Sequence, residues 1–184
     1  MLGLGLLPME SAAREVSGVV LPEEAKLSIE GPRLRLVGAG VFRFLFFRYY
    51  VCALYALAGL RGAAPILQAD APRRIGLVAV RRITSFEFLW GLDRGLADNT
   101  GESESKALES QLGALRAAIR AIGAIPAGSR IDIDYVPEAG TSILIGGARR
   151  GGPFGGKPLN DALMRVWIGE RPLDASLKEM LLGG

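Results

Sequence analysis

The segment Arg33–Leu57, with the sequence RLRLVGAGVFRFLFFRYYVCALYAL, is the longest apolar run in the chain and constrains the fold most strongly. A membrane-spanning helix needs about 20 consecutive apolar residues, and arginines interrupt this run twice in its middle. Valine, phenylalanine and tyrosine are frequent in it, which favours strands over a helix. Its first half also alternates with the two-residue period of a strand. The pattern predicts two long strands, Arg33–Phe44 and Phe47–Leu57, with a tight reversal near Leu45.

The two faces of the first predicted strand differ in polarity. Its even-numbered positions are apolar or glycine, whereas its odd-numbered positions combine arginines with small aliphatic residues. Because successive side chains of a strand point to opposite faces, the pattern places Val37 and Arg43 together on the mixed face. We expect that face to look into the space between the sheet and the layer that covers it.

Composition excludes several classes of site. The chain has 184 residues, one cysteine and no histidine, so zinc sites, Cys–His dyads, Ser–His–Asp triads and an intramolecular disulfide are excluded. Cys52, in an apolar strand, is predicted to be a buried core residue. The net charge of +3 is spread over scattered basic residues with acidic residues between them, which indicates a solvated surface and not a nucleic-acid interface. No metal site and no cofactor is predicted.

The first fifteen residues differ from the rest of the chain. Leu2–Leu7 is a short apolar run, and Ser11–Ala13 fits a small-residue cleavage site. We interpret residues 1–15 as the remnant of an export signal, which implies a periplasmic or secreted protein. The alternative is a disordered N-terminal tail, as in a cytoplasmic protein. Residues 16–184 are predicted to form a single domain.

The remaining elements indicate the fold class. Strands are predicted at Val16–Leu21, Lys26–Glu30, Arg74–Arg82, Arg130–Val136 and Thr141–Ile145. Helices are predicted at Pro65–Ala69, Phe86–Ala97, Leu159–Ile168 and Ala175–Leu182, with one more that Ser103 caps and Gly123 ends. Thr84 or Ser85 is predicted to cap the second helix. Asp132 and Asp134 alternate with apolar residues, which is typical of a half-exposed strand. Because strands pair as hairpins while helices cluster late, the class is α+β with a mainly antiparallel sheet covered on one side by helices.

Three segments of the chain carry a family resemblance. They are Val19–Pro22, Arg48–Tyr55 (RYYVCALY) and Trp167–Lys178 (WIGERPLDASLK). These segments resemble the chalcone isomerase-like family, especially its bacterial members, and with the order of elements the resemblance covers most of Val16–Gly184. It implies an open-faced β-sandwich, in which helices lie on one side of a large antiparallel sheet and a ligand cleft lies between the two layers.

The resemblance also implies where the chemistry of the family would lie. Plant members cyclise chalcones to flavanones with polar residues in that cleft. At the matching positions this chain has Ala25 for the arginine, Val37 for the threonine, Phe88 for the tyrosine, Gly95 for the asparagine and Val166 for a late serine or threonine. Losing one donor to a developing oxyanion typically costs about 2.7–4 kcal/mol. We therefore predict no catalytic residues and expect no chalcone isomerase activity.

Three interpretations of the cleft stay open. The first is non-catalytic binding of an apolar small molecule such as a fatty acid. Fatty-acid-binding relatives hold the carboxylate with an arginine and a tyrosine at the positions of Ala25 and Val37, so another cation is needed. Arg43 is the best candidate, unless it is a surface charge at a strand end. The second is an enzyme of unknown reaction that uses Arg43, Arg81 or Tyr135. The third is a structural domain whose cleft is filled by its own side chains.

Overall fold

The computed structural model describes residues 13–27 and 31–184 and is built around one seven-stranded antiparallel sheet. From one edge to the other, the sheet consists of β11 (Ala148–Arg149), β10 (Gly140–Ile145), β9 (Arg130–Val136), β6 (Arg73–Ala79), β5 (Phe47–Ala56), β4 (Arg33–Phe44) and β3 (Glu24–Lys26). Two small sheets pair β1 (Ala13–Val16) with β2 (Val19–Pro22) and β7 (Ile83–Thr84) with β8 (Ala124–Ile125).

The helices cover one face of the large sheet. They are α1 (Ala63–Gln68), α2 (Ser85–Asn99), α3 (Glu102–Arg120), α4 (Lys157–Ile168) and α5 (Ala175–Leu181). Their apolar side chains share one core with that face, whereas the β1–β2 hairpin packs on the opposite face in a second, smaller core. This arrangement confirms the predicted α+β class and the predicted sheet with helices on one side.

The long strand pair forms as predicted, but a bulge changes which side chains reach the helices. The pairing of β4 with β5 shifts between Leu36 and Gly38, which makes Val37 an extra residue in β4. Leu36 therefore belongs to the core under the hairpin, while Val37 packs toward the helices. Arg43 lies directly opposite Arg48 on the face away from the helices. The shared face predicted for Val37 and Arg43 is not found, because simple alternation does not reveal a bulge.

The N-terminal strand prediction is wrong in topology. The chain reverses inside the predicted strand Val16–Leu21, where Ser17 and Gly18 have φ angles of 53° and 81° and join β1 to β2. Two consecutive positive φ angles are typical of a tight hairpin turn. Strand β1 begins at Ala13, three residues before the predicted start of the domain at residue 16. Residues 1–12, with the apolar run and the cleavage-like sequence, lie outside the described residues, as do residues 28–30 of the predicted third strand.

Strand β9 is more buried than predicted. Asp132 and Asp134 are only 5% and 4% exposed, because arginines of β6 and β9 bind them. Arg74 donates through Nε and Nη2 to the two carboxylate oxygens of Asp134, at 2.6 and 2.7 Å. Arg130 Nε donates to Asp132 at 2.8 Å. The alternating pattern identified the polar face of this strand but not the oppositely charged partners that bury it.

Glycines of β4 let α5 lie directly on the strand. A Cβ atom at Gly38 would lie 2.7 Å from the carbonyl oxygen of Leu181 and closer still to that of Met180. A Cβ atom at Gly40 would lie 2.7 Å from Cε of Met180. Real Cβ atoms essentially never approach other heavy atoms this closely, and at Gly38 the neighbours are backbone atoms, so that position needs glycine. At Gly40 the neighbour is the side chain of Met180, which would have to shift.

We expect Gly38→Ala to lower the free energy of unfolding by about 1–3 kcal/mol, because the added methyl group meets helix backbone that cannot move aside. The matched control is Gly113→Ala in α3, where a Cβ atom meets nothing within 4 Å and the loss of a helical glycine raises stability by about 0.5–1 kcal/mol. Urea unfolding followed by circular dichroism measures both. The same change in stability for both variants would contradict the close contact.

Candidate functional site

The positions at which the sequence places the cleft do not enclose one open space. Gly95 of α2 packs against α4, where a Cβ atom at Gly95 would lie 2.6 Å from Cγ1 of the buried Val166. Ala25 lies on the other side of the sheet, in the core under the β1–β2 hairpin. Val37 lines a groove beside the last residues of the described chain. Phe88 is the member of this set that lines a cavity between the sheet and the helices.

That cavity has a volume of about 350 Å³ and lies between α2 and the turn end of the β4–β5 pair. Its apolar wall consists of Phe42, Phe44, Tyr49, Tyr50, Ile83, Phe86, Phe88, Trp90, Gly91, Leu92, Trp167 and Leu173. The charged side chains that reach it are Glu87 and Arg94. Its volume falls within the range of about 300–1,000 Å³ that small-molecule sites occupy.

The aromatic wall follows from the strand register and from α2. Beyond the bulge, alternation in β4 directs Phe42 and Phe44 toward the helices. Phe42 stacks on Tyr50 with ring centroids 4.9 Å apart, and the edge of Phe44 meets Trp90 at 5.3 Å. Such ring pairs favour a fixed mutual geometry. They give the cavity a preformed apolar surface.

Polar groups at the floor of the cavity stay neutral. The indole Nε1 of Trp167 donates a hydrogen bond to the hydroxyl of Tyr50 at 3.1 Å, which ties β5 to α4. Burial raises the pKa of the Tyr50 hydroxyl above its ordinary value, and burial does the same to the pKa of the neighbouring Cys52 thiol. Neither group ionises near neutral pH, so neither supplies a base or a thiolate nucleophile there.

The charged side chains of the site lie at the mouth of the cavity. Arg94 is exposed on α2, with its guanidinium 5.7 Å from the centroid of the Trp90 ring. Among the described residues no ion pair involves Arg94. Arg81 lies 4.7 Å from the ring centroid of Tyr49 and 3.5 Å from the Glu87 carboxylate. An anionic ligand group would therefore meet Arg94 and the Arg81–Glu87 pair at the mouth, and inside it would meet rings and aliphatic groups around the hydrogen bond between Trp167 and Tyr50.

Glu87 belongs to the helix cap rather than to a catalytic arrangement. Its carboxylate accepts hydrogen bonds from the backbone N–H and the hydroxyl of Thr84, at 2.8 and 2.9 Å. In return, Thr84 Oγ1 accepts from the backbone N–H of Glu87 at 3.1 Å. The bond from the Thr84 backbone lowers the pKa of Glu87. This reciprocal capping box confirms the cap predicted at Thr84 and holds the first turn of α2 beside the mouth.

The structure does not bring together the residues considered for a repurposed active site. Arg43 lies on the sheet face away from the cavity, and Arg81 lies at the mouth. Tyr135, on β9, donates its hydroxyl to Asp70 at 2.6 Å. Burial and the hydrogen bond to Asp70 raise the pKa of Tyr135 to about 12. The three residues therefore lie in separate places and do not form one active site.

Sequence reasoning missed most of this cavity. Trp90 and Arg94 are one helical turn apart on α2, and their spacing gave a signal that they share a face of the helix. Phe42 and Phe44 were recognised as one apolar face of a strand, but nothing in the sequence showed that the covering helices leave a space there. In the described ranges no group of three or more acidic or cysteine side chains could hold a metal ion. No helix there is long and apolar enough to span a membrane.

Comparisons with known proteins agree with this fold. The family model for chalcone isomerase-like proteins matches residues 13–183. The crystal structure of a fatty-acid binding protein from Arabidopsis thaliana matches with a TM-score of 0.66 and 21% sequence identity, over 90% of this chain and 92% of that chain. A likeness at this identity shows the fold alone. Comparison with curated proteins gives no match.

Proposed function

The chain belongs to the chalcone isomerase-like family, and we propose that it binds an apolar small molecule, such as a fatty acid, without catalysis. The observation that carries this proposal is the cavity of about 350 Å³ with ring and aliphatic walls and arginine at its mouth. Ligand sites are mostly apolar, with few polar groups that fix orientation. The fold shared with a fatty-acid binding protein supports this class of ligand.

The apolar part of the ligand supplies most of the affinity in this proposal. A chain lying among Phe42, Phe88 and Leu92 gains about 0.8 kcal/mol for each methylene group removed from water. An ionised carboxylate inside the cavity would lose its hydration without an ionic partner there. At the mouth it meets the exposed Arg94, and an exposed ion pair contributes only about 0–1 kcal/mol. We therefore assign Arg94, and not Arg43, the role of orienting the carboxylate.

Both the positions that match the enzyme's polar residues and the lining of the cavity support a non-catalytic role, although of those matching positions only Phe88 lines the cavity. At the positions that resemble the enzyme's polar residues, Ala25, Val37 and Phe88 offer no hydrogen-bond donor from their side chains. The hydroxyl of Tyr50 at the floor of the cavity stays protonated, because burial raises its pKa. A cyclisation would also need its phenolate nucleophile to stay ionised among apolar walls, which is unfavourable.

We expect the purified protein to leave the rate of chalcone cyclisation at its spontaneous value. Absorbance of the chalcone, followed over time with and without protein, measures this rate. A thermal melt of the same sample serves as the control that the protein is folded. A rate that rises in proportion to protein concentration would contradict the proposal and favour the alternative of an enzyme with a repurposed cleft.

Filling the cavity tests the binding site directly. Gly91 of α2 lines the cavity, and a Cβ atom there would meet its first neighbour, Leu173, at 4.0 Å, so a larger side chain extends into open space. We expect Gly91→Phe to weaken fatty-acid binding by about tenfold or more, which equals the loss of about two buried methylene groups. Isothermal titration calorimetry with a saturated long-chain fatty acid measures the affinity.

The matched control is Gly113→Phe, on α3, where the new side chain meets no neighbour within 4 Å of its Cβ atom. It removes a helical glycine and adds the same ring, but away from the cavity. We expect this variant to bind the fatty acid with unchanged affinity. Equal affinity of both variants and the unaltered protein would place the binding site elsewhere.

A further inference from the structure

The turn between β4 and β5 and the adjacent face of α2 expose a cluster of large apolar side chains. We call this cluster the aromatic tip, and it consists of Phe44, Leu45, Phe46, Phe47, Phe86 and Trp90. Phe46 is 98% exposed and Leu45 and Phe86 are both 76% exposed. Phe44, Phe86 and Trp90 also line the cavity, so the tip surrounds the mouth of the cavity. Exposed apolar surface of this kind marks an interaction site.

The residues of this turn indicate that it does more than connect β4 to β5. Leu45 has a φ angle of 55°, a conformation that glycine or asparagine adopts with less strain. Tight hairpin turns ordinarily use such residues. Here the position is occupied by an exposed leucine followed by an exposed phenylalanine. Strained backbone clusters at functional sites, which supports a function for these exposed side chains.

A ring of arginines surrounds the tip. Its members are Arg43, Arg48, Arg81 and Arg94. Arg81 and Arg94 lie beside rings of the tip, each 5.7 Å from a ring centroid, those of Phe47 and Trp90. Among the described residues, the arginines of this ring form one ion pair, which joins Arg81 to Glu87 at 3.5 Å. The surface therefore combines exposed apolar side chains with an excess of positive charge.

We propose that the aromatic tip and the arginine ring dock the protein on the surface of an anionic lipid bilayer. Aromatic rings partition into the boundary between headgroups and acyl chains, and arginines around them meet the negative potential of anionic headgroups. Docking in this way turns the mouth of the cavity toward the bilayer. The proposal concerns the surface alone and holds whether or not the cavity is occupied.

Charge decides between a bilayer and a second copy of the chain. A two-fold contact through this surface would bring the arginine ring of one copy against that of the other. Like charges facing each other across an interface oppose association. An anionic bilayer instead offers opposite charge to the arginines and an apolar layer to the rings, so it matches both features of the surface.

Sedimentation with lipid vesicles tests the proposal. We expect the protein to sediment with vesicles of equal parts phosphatidylglycerol and phosphatidylcholine, to bind phosphatidylcholine alone much more weakly, and to dissociate as salt screens the charges. Phe46→Ser removes a ring that is almost fully exposed and should weaken binding by about tenfold or more. Arg43→Gln with Arg48→Gln should weaken it by about fivefold for each arginine.

The matched control is Arg149→Gln with Arg150→Gln, which removes the same charge from exposed positions at the opposite edge of the sheet. We expect this control and Gly91→Phe to keep vesicle binding, the latter even where fatty-acid binding is lost. Failure to sediment with anionic vesicles would overturn the proposal, as would equal losses in the two arginine pairs. A dimer in light scattering that Phe46→Ser dissociates would overturn it in favour of a second copy.

Discussion

Direct contact between helices and the backbone of the sheet is the constraint on which the rest of the structure depends. Gly38 lets the backbone of α5 lie directly on β4, and Gly40 leaves room for the side chain of Met180 between the two elements. On the neighbouring helix pair, Gly95 lets α2 lie equally close to Val166 of α4. These contacts close the space in which a cleft was expected. The space that remains open is the cavity between α2 and the turn end of the β4–β5 pair. The aromatic side chains there are too large to let the helix lie directly on the strands.

Buried charges are kept away from this open region. Arg73 is almost completely buried, and it donates to the Asn160 side chain and the Ile66 carbonyl, both at 2.6 Å, and pairs with Asp161. These bonds join β6 to α1 and α4. On the other face of the sheet, Arg74 and Asp134 form a second buried pair. A buried charge needs a partner and further hydrogen bonds, and both arginines find theirs within the fold. The cavity is therefore bounded by rings and aliphatic groups.

The sequence predicted the layers of the fold better than the site. Period-two alternation located β4 and β5, and the fold class and family resemblance are confirmed. Alternation could not reveal the bulge at Val37, so it placed Arg43 on the wrong face of the sheet. The cavity escaped prediction for a related reason. Whether Phe42 and Phe44 fill a core or border a space depends on the height at which α2 passes over them, and local sequence does not encode that distance.

In the proposed function, an acyl chain enters the aromatic cavity and reaches its floor. The chain has two tryptophans, and both line the cavity, with Trp90 at the mouth and Trp167 buried at the floor. In a Trp90→Phe variant, Trp167 therefore reports on the interior alone. Titration of this variant with a bromine-labelled fatty acid, which quenches tryptophan only at close range, tests the claim most directly. Saturable quenching at one ligand per chain is the result predicted here, and an unquenched Trp167 in the folded protein would contradict it.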